Sequence, residues 1–351
     1  GGDSRLLTGT SSDAIVDDGA LIARNTTTAL TLPNIHGTGS LTQSGAATTT
    51  LTGTSAYTGA TTITSGTLEL GAGTDGIAAS SSLTLTGGTL DIAKTATDQT
   101  VNNLTGTAGD IALGAHTLTV HSTASTTYHG TFTGTGALTK TGTGTLTLTT
   151  ASTTGGLWRI AQGTLALDGA SLTTGGLTEA AGSTLTLTPT ASIPALTVNG
   201  PLNLAGTLAV KLNGPVTAGQ KLTLIRQTAT GPGTTGTFAG LAEGAKLTIN
   251  GSVFQISYHG GAGHDVVLTA AAGTASANGT AVANGPTGQT MSAGGSAQGR
   301  GTTTATLTAL AAGLAVILAG LGYLGVRRTR AKPNAAGAGS HRRNGRARMP
   351  K

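Results

Sequence analysis

The sequence predicts an all-β protein, a right-handed parallel β-helix with one C-terminal transmembrane α-helix, and three observations carry that prediction. Charged residues make up 9% of the 351 residues while glycines number 58, a composition unlike that of an ordinary enzyme core. Polarity falls on Thr and Ser instead, and β-branched Thr favours extended chain. From about residue 20 to residue 270 one phrase keeps returning between glycines, as in SLTLTGGTLDI, GTGTLTLT, GTLALDG and STLTLTPT. Its Leu-Thr alternation puts Leu on one side of a strand and Thr on the other.

A longer repeat strengthens the reading. Residues 37–73 align without gaps to residues 134–170, with 17 of 37 positions identical, among them Gly66/Gly163, Leu68/Leu165 and Leu70/Leu167. Strand-turn units with no helical segment between them mark a solenoid. A propeller is disfavoured, because its blades carry recurring aromatic signals and this chain has a single Trp. In a parallel β-helix, coils of roughly 20 to 25 residues stack about 4.8 Å apart, giving on the order of ten rungs and a rod about 50 Å long. Leu, Ile and Val then form ladders inside, and Thr ladders cover the outside.

The chain divides as follows. Residues 1–19 form a lead-in, and residues 20–270 the β-helix, closed by a cap at about 236–270. Residues 271–304 are small, nearly uncharged and without strand pattern, which reads as a flexible stalk. Residues 305–326 contain no charge, and at about 1.5 Å per residue such a stretch is long enough to cross a bilayer as a helix. Arg327, Arg328, Arg330 and Lys332 follow at once, as the positive flank of a membrane helix would. Residues 327–351 hold nine of the nineteen Lys and Arg residues and no acid. The net charge of +6 is therefore concentrated there, and residues 1–326 carry ten basic and thirteen acidic groups, or −3. With basic charge confined to a tail read as cytoplasmic, nucleic acid is not an expected partner.

Few residues carry chemical signals. Without cysteine, disulfides, thiolate metal sites and thiol catalysis are all excluded. GGAGHDVVL at 260–268 matches one unit of a calcium-binding nonapeptide, with Asp265 as its carboxylate. Calcium needs six or more oxygens, so a glycine turn entering a final strand is the preferred reading and no metal is assigned. His259 and His264 flank this turn, and His116 and His121 lie five apart on a strand without a third ligand. Asp91, Asp98 and Asp110 are the only moderate cluster of carboxylates in the middle of the chain. Their spacing does not correspond to successive coils, and convergence with Lys94 would be needed for lyase or hydrolase chemistry. No catalytic residue and no cofactor is predicted.

Segments 37–73 and 134–170 resemble the autotransporter-associated β-strand repeat. Gly134, Gly136, Leu138, Thr139, Lys140, Gly142, Gly144, Leu146 and Leu148 follow the first part of its pattern. Tyr57, Gly59 and Thr61 follow its middle, with Ala60 in place of a glycine, and Gly163 to Leu167 its end. The stretch 236–269 also resembles the segment that closes the repeat region in such surface proteins. By that resemblance Phe238, Phe254 and Tyr258 are cap residues, covering a last coil that has no neighbour. The resemblance implies an exported adhesin or surface-coat protein, with a polysaccharide lyase or hydrolase on the same scaffold as the alternative. Expected partners are membrane lipid through residues 305–326 and, along the rod, polysaccharide, a host or neighbouring-cell surface, or another copy of the chain. A departure from the family is expected, with an apolar segment and arginines standing where the family continues into an outer-membrane barrel.

Overall fold

The computed structural model describes residues 14–72, 76–190, 193–228, 233–272 and, by backbone alone, 279–282. All lie within one compact unit, Gly1–Gly294. The chain winds as a parallel β-solenoid with three faces, visited in the same order in every coil.

The first face begins with Ile15–Val16, Ile35–Gly37 and Ala56–Tyr57 and continues as a seven-stranded sheet from Gln99–Asn102 to Thr235–Gly236. Residues 76–81 fill the gap between these two parts. The Asn102 side-chain amide donates to Ala78 O at 2.9 Å and Ser80 O at 2.8 Å, while Ser81 N donates to Thr58 O at 3.2 Å. The second face is an eleven-stranded sheet: ten strands run parallel from Ala20–Ala23 to Thr207–Leu212, and Gly279–Val282 is added antiparallel at the end. On the third face, strands from Leu30–Leu32 to Thr131–Thr133 are followed by Ser152–Thr153, Leu172–Thr174, Leu196–Val198 and Lys221–Gln227.

Register partners on the second face are 19 to 23 residues apart, as with Leu146↔Leu165 and Leu185↔Leu208. Ten rungs separated by about 4.8 Å give about 43 Å of stacked coil. Leu146, Leu165, Leu185 and Leu208 form one inward column, and all are buried. Stacking such columns removes each Leu from water against the coils above and below, about 1.5–3 kcal/mol per side chain. In this way a chain with few large side chains acquires a continuous core.

Glycine corners let the coils approach. Gly66 and Gly163 hold the same place in the repeat, at φ +64° and +70°. A Cβ on Gly163 would come within 2.4 Å of Gly142 O and 2.5 Å of Gly144 O, so only glycine fits.

The two repeat copies do not lie on the same sides of the solenoid. Ser40–Gln43 belongs to the second face, whereas the matching Ala137–Thr141 belongs to the first. Thr48–Leu51 lies on the third face and its counterpart Thr145–Leu148 on the second. The second copy is therefore turned by one face relative to the first.

Two readings of the C-terminal segments need comment. Gly279–Val282, within the stretch read as a strandless stalk, pairs antiparallel with Thr207–Leu212. Pairing at the end of a sheet uses backbone groups alone, so it leaves no Leu-Thr signature in the sequence. The remaining stalk residues from 283 on, the apolar segment 305–326 and Arg327, Arg328, Arg330 and Lys332 lie outside the described residues. Among the described residues no helix is long and apolar enough to cross a membrane.

Candidate interaction faces

Outward residues form columns as regular as those inside. On the second face Thr42, Thr62, Thr84 and Thr105 are successive register partners, and Thr127 and Thr147 continue the line. Thr64, Thr86 and Thr107, two residues further along their strands, are exposed beside them. The first face carries Thr100, Thr119, Thr139, Arg159, Thr178 and Asn203 in one outward column. These faces offer hydroxyls and methyls at rung spacing and little charge.

They offer no aromatic platform. Tyr57, Tyr128, Phe132, Trp158, Phe238, Phe254 and Tyr258, the aromatics among the described residues, are all buried. Three of them stack inside: Tyr128 to Phe132 with centroids 5.4 Å apart, and Phe132 to Trp158 at 5.5 Å, both edge to face. Each polar tip finds a partner, as burial requires. Tyr128 Oη donates to Gly109 O at 2.9 Å, and Trp158 Nε1 donates to Thr154 Oγ1 at 2.7 Å. Burial pushes the phenol of Tyr128 well above its usual range.

The repeat copies use one corner contact in opposite senses. Tyr57 pairs with Thr61 through their hydroxyls at 2.6 Å. Thr154 and Trp158 occupy the corresponding places in the second copy, so the aromatic residue and its threonine have changed positions. A second corner contact is kept unchanged: Ser55 Oγ accepts from Ile35 N, and Ser152 Oγ, at the matching place, accepts from Phe132 N.

The third face bears Glu69, Asp91 and Asp110 on successive coils. Glu69 and Asp91 are register partners, and Asp110 is the partner of Thr89, two residues before Asp91. Asp91 and Asp110 thus share a face on adjacent coils, contrary to the expectation from their spacing. That spacing is a coil length less two residues, which moves the second acid one position along the same side of the strand. Lys94 Nζ pairs with Glu69 Oε2 at 2.7 Å, and Asp91 Oδ1 accepts from Ala93 N at 2.8 Å. Asp98 sits at a different corner, where its Oδ1 accepts from Thr117 N at 2.7 Å. The grouping of Asp91, Asp98, Asp110 and Lys94 that hydrolytic chemistry would require is not formed.

At the C-terminal end the parallel order gives way to an antiparallel meander. Lys221–Gln227 pairs with Asp265–Ala270, that strand with Ser252–Gly260, and Ser252–Gly260 with Lys246–Ile249. Asn250 and Gly251 make the last connection at φ 50° and 80°, the positive angles a two-residue hairpin demands. Phe238 and Phe254 are fully buried and Tyr258 is 4% exposed. Tyr258 Oη accepts from Phe238 N at 3.0 Å and donates to Leu241 O at 2.6 Å, and burial pushes its phenol up to about 12. Ala239 N donates to Gly206 O at 2.7 Å, laying this segment on the last parallel rung.

Asp265 is engaged in the same meander, where its Oδ1 accepts from Gln227 N at 3.0 Å. Among the described residues no three His, Asp or Glu side chains group as metal ligands. His121 Nδ1 lies 3.1 Å from Thr141 Oγ1, and His259 is exposed.

Sequence reasoning missed a set of buried polar heads. Gln43 and Lys140 stand at the same repeat position and are both 0% exposed, and Glu179 is 2% exposed. Burial pulls the Lys140 ammonium down to about 8 and pushes the Glu179 carboxyl up to about 8. The signal available was a polar residue at an inward place in the alternation.

Comparison with known proteins agrees with this architecture. The passenger-associated-transport-repeat family matches at residues 41–70 and 138–167. The Adhesin BmaC autotransporter of Brucella suis biovar 1 (strain 1330) is 41% identical over 102 residues, which are 28% of this chain and 3% of that protein. The chain thus spans a small fraction of that relative's length. No solved structure matches.

Proposed function

We propose that the chain, which carries two passenger-associated-transport repeats, is an exported surface adhesin of the autotransporter passenger type whose solenoid, wound right-handed, presents its faces to other cells, polysaccharide or matrix. The observation that supports this most is the combination of two transport-type repeats with outward columns of uncharged threonine. Each contact such a face makes is weak. Many copies on one surface, each with many rungs, add them into useful avidity. Because the aromatics among the described residues are turned inward, recognition rests on hydroxyl and methyl groups rather than on stacking against sugar rings.

The remaining parts of the proposal concern attachment. Residues 283–304, beyond the added strand Gly279–Val282, tether the rod, residues 305–326 cross a membrane, and Arg327, Arg328, Arg330 and Lys332 hold the tail on the cytoplasmic side. Brief proteolysis of intact cells, with termini mapped by mass spectrometry, tests this topology. A large released fragment ending between residues 270 and 304 is the expected result. Digestion of residues 327–351 with protection of the segment before them would invert the arrangement. For adhesion, cells producing the chain are compared with cells lacking it for retention on host cells, on matrix and on one another. Equal retention on all three surfaces would refute the adhesive role.

A further inference from the structure

Three corners share a sequence phrase: Leu41-Thr42-Gln43, Leu138-Thr139-Lys140 and Leu177-Thr178-Glu179. In each the third residue turns into the core. At the first two corners its head donates to backbone carbonyls. Gln43 Nε2 reaches Gly45 O at 2.8 Å and Ala47 O at 3.0 Å. Lys140 Nζ reaches Thr141 O at 2.7 Å, Gly142 O at 2.9 Å and Gln162 O at 3.2 Å. The place is walled by acceptors, so it suits a donor, and an ionised carboxylate has no proton to give.

Glu179 occupies the third such place. Its Oε2 accepts from Gly206 N at 3.3 Å, while Oε1 is buried without a partner. The space around Oε1 is small: a Cβ on Gly206 would stand 2.5 Å from Oε1 and 2.6 Å from Ser183 O. We infer that Glu179 is held as the neutral carboxylic acid, with its proton on Oε1 serving as the donor that Gln43 and Lys140 provide at their corners, and that the coil beneath the closing strands is consequently a base-sensitive joint.

No cation stands ready to neutralise an ionised Glu179. Lys140 is two rungs back in the same inward column, beyond Ile160, and its ammonium is bound to its own three carbonyls. Glu243 lies toward the closing segment, its Oε2 accepting from Tyr258 N at 2.7 Å, and Tyr258 Oη is committed to Leu241 O. Loss of the proton therefore leaves a charge in the core faced only by the backbone N–H groups of Gly206 and Leu185, which offset less than its burial costs. The strain is placed at Gly206, whose N–H holds Glu179 and whose carbonyl holds Ala239 N, a backbone tie to the closing segment next to the pairing of Leu204 with Gly236. The raised pKa produced by burial agrees with the geometry.

The test uses the full 351-residue chain and two variants that borrow the chain's own alternatives, Glu179→Gln and Glu179→Lys. Amide hydrogen exchange of residues 204–206 and 238–241 is followed by mass spectrometry at pH values below and above 8. After correction for intrinsic rates, the wild type is expected to open these amides about tenfold more readily above that pH, and Glu179→Gln equally at both. A wild type without this increase, or a Gln variant that shares it, would overturn the inference. Infrared spectra of the wild type decide the matter even if the variants fail to fold. A protonated-carboxyl band at neutral pH that disappears in mild base is expected, and its absence at neutral pH would refute the neutral acid.

Discussion

Exchanging Thr154 and Trp158 in kind, so that the second repeat copy adopts the order found in the first, tests whether the corner contact is a true pair. Trp158→Thr alone removes a fully buried indole, and truncating a large aromatic in a packed core costs about 3–5 kcal/mol. Loss of the edge contact with Phe132 at 5.5 Å adds about 0.5–1.5 kcal/mol. The Thr154 hydroxyl is also left without its indole donor, about 1 kcal/mol more. Adding Thr154→Tyr restores an aromatic body and a hydroxyl partner in the arrangement of Tyr57 and Thr61, and is expected to recover about 2 kcal/mol of the loss. Urea unfolding monitored by circular dichroism measures the three proteins. As Trp158 is the only tryptophan in the chain, its fluorescence reports on this coil in the wild type and in Thr154→Val. Should the exchanged variant be no more stable than Trp158→Thr alone, the two copies would not be using one contact in opposite senses.

Three further outcomes follow from geometry already described. The Lys140 ammonium is pulled down to about 8 from an ordinary 10.5, so the unfolded chain binds more protons between those values. Stability should therefore rise as pH increases through that window, and Lys140→Gln, which copies Gln43, should flatten the rise in thermal melts. Gly163→Ala, which drives a methyl into two carbonyls, should cost at least about 2 kcal/mol. Gly169→Ala, at φ +76° with nothing within 4 Å, should cost only the backbone conformation, about 1–2 kcal/mol. Finally, chelators should leave the melting temperature unchanged, while Asp265→Ala, which loses the bond from Gln227 N, should lower stability by about 1–2 kcal/mol in the same melts.

The parallel solenoid was legible because its signal is local. Leu185 and Leu187 alternate with Thr184 and Thr186 within four residues, and that alternation alone sets inside and outside. The roles of Ser55 and Ser152, of Gln43 and Lys140, and of the aromatic-threonine pairs were not, since the serines reach across to another coil and the others fold onto groups at a corner whose backbone path the alternation does not specify. The placement of Asp91 and Asp110 on adjacent coils was misjudged for a related reason. Coils vary from 19 to 23 residues, so spacing along the chain does not translate directly into position on a face. In the single calcium-like motif Asp265 serves its neighbouring strand, and only a second unit stacked on the first would supply more carboxylates.

The one-face offset between the two repeat copies has a consequence for recognition. Matching residues from 37–73 and 134–170 project from different flanks of the rod, so a ligand shaped to the repeat cannot lie straight along the axis and engage both. It must follow a spiral path, or two ligands must arrive from separate directions. A fibre that displays one motif at several azimuths is less dependent on how it happens to be oriented when it meets another surface.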